Sequence, residues 1–240
     1  MCTVRLKITW PNIISKDHDH SLAATTLAAA FFHYICDQIS TMKYDIQPGV
    51  KGLIFDLDGT LADTMPYHFE GWKKASIKFG ADIDPAFLRK HTGSPGWIIA
   101  DEIIKKCKLD GNVTVDQIMN EKLAEFYKLQ HLIKPIKPVT DIVKKYHGKL
   151  PMAVGSGGHR DAVERTLEIT GLRKYFDIIV SANDVDSFKP HPETFLRCAE
   201  QMQVDPAFIE VFEDADLGIM AARKAGMIAT DVRSWYNSNW

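Results

Sequence analysis

A doubly wound parallel α/β sheet with an inserted helical segment is the fold class that this 240-residue sequence predicts. Three observations carry the expectation. From residue 50 onward, short apolar, β-branched runs alternate with amphipathic helical stretches. The first two runs are separated by residues 58–150, far too much chain for one crossover. Several runs also end in charged or hydroxyl-bearing residues, at the strand ends where open parallel sheets bind ligands.

The first 42 residues read as an extension outside the core. HSLAATTLAAAFFHYICDQI (20–39) is Ala/Thr-rich and apolar, yet it contains His33 and follows the polar KDHDH (16–20). A secretory signal places basic residues directly before its apolar stretch, and a spanning helix takes about 20 apolar residues. Neither template fits. Met42 opens MKYDIQPGVKGLIFDLDG, which reads as a natural N-terminus; a docked amphipathic helix and a targeting segment stay open as alternatives. The alternation of Asp17, His18, Asp19 and His20 has metal-ligand character, although a solvated polar run accounts for it more simply.

The strand candidates are GLIFDL (52–57), PMAVGS (151–156), FDIIVS (176–181), FIEVFE (208–213) and MIATDV (227–232). HRDAVERTLEIT (159–170) and ADLGIMAARKAG (215–226) lie between them as helices, which implies a parallel sheet covered on both faces. The filling between the first two strands is helical in pattern: YHFEGWKKASIKFG, PAFLRKHT and TVDQIMNEKLAEFYKLQ. A core of residues 43–63 and 134–240 is therefore expected, with a separate helical insert over 64–133. Pro135 and Pro138 mark the return of the chain to the sheet.

Composition bounds the function. With 45% hydrophobic and 25% charged residues the chain is an ordinary globular protein, and a net charge of −2 offers no surface for nucleic acid. Cys2, Cys36, Cys107 and Cys198 form no C-x-x-C pair, which argues against a disulfide framework or a zinc knuckle. They read as reduced thiols of a cytosolic protein. No membrane partner is expected, and nothing demands more than a monomer.

The strand ends carry the chemistry. Asp56 and Asp58 close the first strand, and two neighbouring carboxylates repel unless a cation lies beside them. Mg²⁺, a hard cation that prefers oxygen ligands, is the natural compensator. An EF-hand fails: counting Asp56 as position 1 puts Leu61 where Gly is required and Tyr67 where Glu is required. A strand ending in an Asx-turn at Gly59 is the plain alternative for an isolated D-x-D-G. Three further sites weigh against it. Ser156, Gly157 and Gly158 offer a hydroxyl and open backbone N–H groups to an anion. Lys189 is held by the neighbouring Pro190 and Pro192 rather than left on a mobile arm, so its charge can be aimed. Glu213 and Asp214 add a second pair of acids at the fourth strand end.

In order, DLDGTLADT, VGS, FKPHPETF and FEDADLGIMAA resemble the motifs of the haloacid dehalogenase-like phosphatases, over residues 50 to about 233. The likeness is to the branch with a small helical cap after the first strand, which includes β-phosphoglucomutase and sugar-phosphate phosphatases. KGLIFDLDGT, RKHTGSPGW, YHGKLPMAVGSG and VFEDADLGIMAARKAGM most resemble bacterial phosphatases of fructose 1-phosphate that also accept 6-phosphogluconate.

The resemblance implies Asp56 as nucleophile, Asp58 as general acid and base, and Lys189 as the catalytic cation. It implies Mg²⁺ on Asp56, the Asp58 carbonyl, Asp214 and Glu213, with phosphate on Ser156 and Gly157. His68 and Trp72, one helical turn apart, would face the substrate from the cap, and LADT would be the hinge. Asp58 separates a phosphatase from the family's dehalogenases, which lack it. A mutase needs a cap cation for its second phosphate, and the related mutase's Arg corresponds to Gly96 here. Arg89, Lys90 and His91 lie nearby as possible substitutes. A catalytically silent sugar-phosphate-binding protein would be expected to have lost at least one charged group, and none is lost.

Overall fold

In the computed structural model, residues 44–109 and 111–236 are described. The run Asp17, His18, Asp19 and His20 and the Ala-rich stretch after it lie outside the described residues. The described chain builds a five-stranded, fully parallel sheet: β1 Gly52–Phe55, β2 Met152–Gly155, β3 Ile178–Val180, β4 Ile209–Glu213 and β5 Ile228–Asp231. The strand order is β3-β2-β1-β4-β5, so connections run one way from β1 to β3 and then reverse. Phe55 is level with Val154 of β2 and with Phe212 of β4. That register brings the residues following these strands to one edge, at the point of reversal where such sheets bind ligands.

All four residues of β1 are buried because both faces are covered. Leu53 and Phe55 enter one core with Val154, Leu167 and Phe212, and Ile54 enters the other with Val180, Phe195 and Ala221. This is why the strand reads as a continuous apolar run rather than an alternating one.

Between β1 and β2 come α1 Met65–Lys78, α2 Pro85–Lys90, α3 Gly96–Cys107 and α4 Val115–Leu129, then α5 Lys137–Tyr146. Asp84 caps α2 by accepting from the Ala86 N–H, and Thr114 caps α4 in a reciprocal box with Gln117. The first four helices share their own apolar cluster, which includes Trp72, Leu88, Ile103 and Ile118. The remaining helices cover the sheet: α6 Arg160–Ile169, α7 Glu193–Met202 and α8 Asp216–Lys224.

The first strand stops at Phe55, two residues short of the expected end. Leu57 O accepts from the Thr60, Leu61 and Ala62 N–H groups, at 3.3, 3.0 and 3.0 Å, so the chain is already turning. Asp56 and Asp58 therefore lie in a tight loop after the strand and not within its last residues. Pro138 sits in the first turn of α5, where a missing N–H costs nothing.

Candidate active site

Asp56 follows β1 directly, its N–H donating to Phe212 O at 3.0 Å. Lys189 arrives from the segment after β3. Its Nζ donates to Asp56 Oδ1 at 2.7 Å and to Glu213 Oε2 at 2.8 Å, with only 1% of its side chain exposed. The structure places Lys189 against two of the strand-end acids, its charge sunk beneath them rather than presented to solvent. Glu213 Oε1 also accepts the Ala215 N–H at 3.1 Å. Gly218 lies so close that a Cβ there would stand 2.1 Å from the Glu213 carboxyl carbon. Asp214 accepts from Thr60 Oγ1 at 3.1 Å.

Asp56, Glu213 and Asp214 present carboxylate oxygens that all lie within 4.8 Å of one another. Lys189 is the cation bonded to two of them. Burial, then the neighbouring Glu213, pushes the Asp56 carboxyl up to about 8 in spite of Lys189. Burial, Glu213 and Asp56 likewise hold Asp214 well above the usual carboxylate range. Without another cation, then, the cluster resists full ionisation. Three hard oxygen donors in a buried, negatively overloaded cluster fit a hard divalent cation such as Mg²⁺.

Asp58 belongs to a different circuit. Its Oδ1 lies 3.0 Å from His68 Nε2 on α1, and His68 Nδ1 lies 2.9 Å from Lys122 Nζ on α4. A protonated lysine can only donate, so Nδ1 is the acceptor and Nε2 carries the proton facing Asp58. The imidazole lies flat on Phe126, with centroids 4.0 Å apart and planes 6° apart. Burial drives Lys122 down to about 8, with Asp58 partly opposing it. Burial and Lys122 also lower His68, against Asp58, which favours the neutral ring. Burial works against the Asp58 carboxylate, but His68 and Lys122 hold it below its usual range.

Lys122 is the site residue that sequence reasoning missed. A lysine in an amphipathic helix ordinarily faces water, but Ile118, Lys122 and Phe126 recur at i, i+4 and i+8 and all three are buried. A lysine centred on the apolar stripe was the available signal.

A cleft between the strand ends and the insert is lined by Asp56, Asp58, His68, Trp72, Trp97 and Lys122, with Gly157 and Gly158. Ser156 lies just below, 1% exposed, its Oγ accepting the Gly158 N–H at 3.0 Å. Trp72 lines the cleft and is also part of the insert's core, at 5% exposure. His68 does not point freely at a ligand; it is spent on Asp58 and Lys122. Gly96 lines the cleft, whereas Arg89, Lys90 and His91, at the end of α2 and just beyond, are not part of its lining.

The haloacid dehalogenase-like hydrolase pattern matches residues 53–232. The chain belongs to that family. The hydrolase relatives include the fructose-1-phosphate phosphatase YqaB of Escherichia coli, 44% identical over 183 residues, covering 76% of this chain and 96% of that protein. A phosphorylated carbohydrates phosphatase of Thermotoga maritima is 32% identical, covering 74% of this chain and 82% of that protein. Among solved structures, the β-phosphoglucomutase of Clostridium difficile superposes with a TM-score of 0.70 at 26% identity, covering 76% of this chain and 84% of that one. No helix among the described residues is long and apolar enough to cross a membrane.

Proposed function

We propose that this phosphoric monoester hydrolase removes phosphate from small sugar or sugar-acid monophosphates, of the fructose 1-phosphate and 6-phosphogluconate type, by way of a phosphoryl group carried on Asp56. One observation carries the reading: two acids two residues apart sit in opposite settings. Asp56 is held by Lys189 in the carboxylate cluster, while Asp58 is joined to His68 and Lys122. Acids pushed into different environments are suited to different roles.

A carboxylate oxygen of Asp56 attacks phosphorus in line as the bond to the sugar oxygen breaks. Asp58 protonates that departing oxygen. In the second half it takes a proton from the water that attacks the aspartyl phosphate, releasing inorganic phosphate and restoring Asp56. Because Asp58 is held below the usual carboxylate range, it needs a proton for the first half. His68 supplies one from Nε2, and Lys122 replaces it at Nδ1. Lys189 offsets charge at Asp56, and Ser156 with the Gly157 N–H receives the remaining phosphate oxygens. Mg²⁺ held by Asp56, Glu213, Asp214 and the Asp58 carbonyl would supply further neutralisation of the phosphate.

We assign the insert, residues 64–133, as a cap that chooses the substrate, with LADT (61–64) as its hinge. A mutase is the second reading, favoured by the likeness to the β-phosphoglucomutase structure. It needs a cap cation free to hold a second phosphate. The cleft has Gly96 at the relevant place, and the cap cation in its lining, Lys122, is engaged with His68. A catalytically silent binder has less support, since every charged group the chemistry needs is present. The test is a screen of sugar monophosphates with Mg²⁺ present or chelated, following both inorganic phosphate and interconversion of glucose 1- and 6-phosphate. Mg²⁺-dependent phosphate release is expected, with fructose 1-phosphate or 6-phosphogluconate among the better substrates. Isomer interconversion outpacing phosphate release would overturn the hydrolase reading.

A further inference from the structure

Past the end of the family match at residue 232, the chain turns back to the loop that carries both acids. Tyr236 Oη donates to Gly59 O at 2.5 Å. Gly59 is the most tightly constrained point of that loop. Its φ is +83°, and a Cβ on it would stand 2.2 Å from Asp214 Oδ2, so the main chain lies directly against the acid. The Gly59 N–H donates to Ala62 O at 2.9 Å, and the next residue's hydroxyl, Thr60 Oγ1, donates to Asp214 Oδ1. The Gly59 peptide is thus fixed by the loop on one side, by Asp214 on another and by the Tyr236 hydroxyl on a third.

We infer that Tyr236 is a positioning residue for the hydrolytic site: its hydroxyl fixes the Gly59 peptide and thereby the spacing of Asp58 from Asp214. The inference rests on the reading of Asp56, Asp58 and Asp214 given above. Tyr236 is suited to the task because its own segment is anchored. Trp235 stacks on Tyr44, with centroids 4.4 Å apart, and meets Phe212 edge-on at 5.8 Å. Phe212 immediately precedes the acids Glu213 and Asp214. Arg233 pairs with Asp231 at 2.5 Å and with Asp216 at 2.9 Å. The hydroxyl is therefore delivered by an already ordered stretch, so holding the loop costs little additional side-chain entropy. Burial, with Asp214, Asp63 and Asp56 nearby, raises the phenol and keeps it a donor. No family motif reaches this residue, which explains why reading the motifs alone passes over it.

Tyr236→Phe keeps the ring and removes the bond. Three quantities are read on the full chain: turnover of p-nitrophenyl phosphate, Mn²⁺ binding without substrate by electron paramagnetic resonance, and Tm. Small misplacements of reacting groups cost rate steeply, so kcat is expected to fall about tenfold with KM within about twofold. The Mn²⁺ dissociation constant is expected to rise about threefold, since positioning of ligands tunes metal affinity. Tm is expected to stay within about 2 °C. Unchanged kcat with unchanged Mn²⁺ affinity would overturn the inference, as would an activity loss matched by loss of folded protein. A parent enzyme that releases phosphate from no substrate would count against the phosphatase reading instead, and the Mn²⁺ titration would still separate variant from parent.

Discussion

The two walls of the cleft are built on opposite principles. The strand-end wall is crowded with charge: Asp56, Lys189, Glu213 and Asp214 are bonded or packed within a few ångströms of one another, with close approaches at Gly59 in the loop after β1 and at Gly218 in α8. The insert wall is largely apolar, with Trp72, Phe126 and Met119, and among the described residues its one ionic feature is the Lys122–His68 pair reaching across to Asp58. The difference fits the proposed division between chemistry at the strand ends and choice of substrate on the insert. A buried cluster of charges is expensive to hold together and is suited to reacting groups, whereas an apolar surface with few polar points discriminates shape at modest energetic cost.

The comparison breaks first at Asp56. Asp56→Asn should lower kcat by at least about 10³-fold, because only the attacking oxygen is lost. The fold should survive, since a buried carboxylate raised by its neighbours is exchanged for a neutral isostere. Steady-state kinetics and circular dichroism check both halves; a loss below tenfold would move the chemistry away from this wall. Chelation comes next. Removing divalent ions should stop turnover, and adding Mg²⁺ should restore it and raise Tm by relieving repulsion among Asp56, Glu213 and Asp214. A Tm indifferent to Mg²⁺ would contradict the cluster's assignment.

Lys122→Met sharpens the comparison, since it alters the insert wall's single ionic contribution. A loss of roughly 10- to 100-fold in kcat is expected for a sugar phosphate, and a much smaller one for an aryl phosphate whose leaving group needs no proton. With Lys122 at about 8, the parent's kcat on the sugar phosphate should fall as pH rises through that value, because the deprotonated amine no longer feeds His68. The variant should lack that limb. Equal losses on both substrates would remove the relay. The smallest effect is expected for Gly96→Arg, which places a cation in the apolar wall. A Cβ at Gly96 would meet Met119 Cε at 2.7 Å, the movable tip of a flexible side chain, so the substitution should be tolerated. Within about threefold in kcat on fructose 1-phosphate, it should lower KM for a sugar bisphosphate; unchanged preference would show that this loop does not select the substrate.

Sequence reading singled out candidate residues where they are packed into contiguous phrases. Asp56 and Asp58, Ser156 and Gly157, and Glu213 and Asp214 end or directly follow a recognisable strand, Lys189 comes from the segment after β3, and the parallel register gathers them. It faltered where a role is created by distant contacts. Lys122 meets His68, 54 residues away in sequence, while the helix around it satisfies an ordinary amphipathic pattern. Helix α3 falls within the expected helical insert, with Pro95 as its cap and Gly96 already helical. Leu57 extends an apolar run, and only its carbonyl's three acceptances reveal the turn. Tyr236 lies beyond any motif.

The most direct test of the account is to catch the phosphoryl group on Asp56. Asp58→Ala, which should slow the second half of the reaction, is mixed with Mg²⁺ and radiolabelled p-nitrophenyl phosphate, whose leaving group needs no proton in the first half, and quenched in acid on the millisecond scale. The account predicts an acid-stable, hydroxylamine-labile label that approaches one per enzyme, maps to the peptide containing Asp56 and vanishes when Asp56→Asn is added. Phosphate release without any protein-bound label at any time point would contradict it.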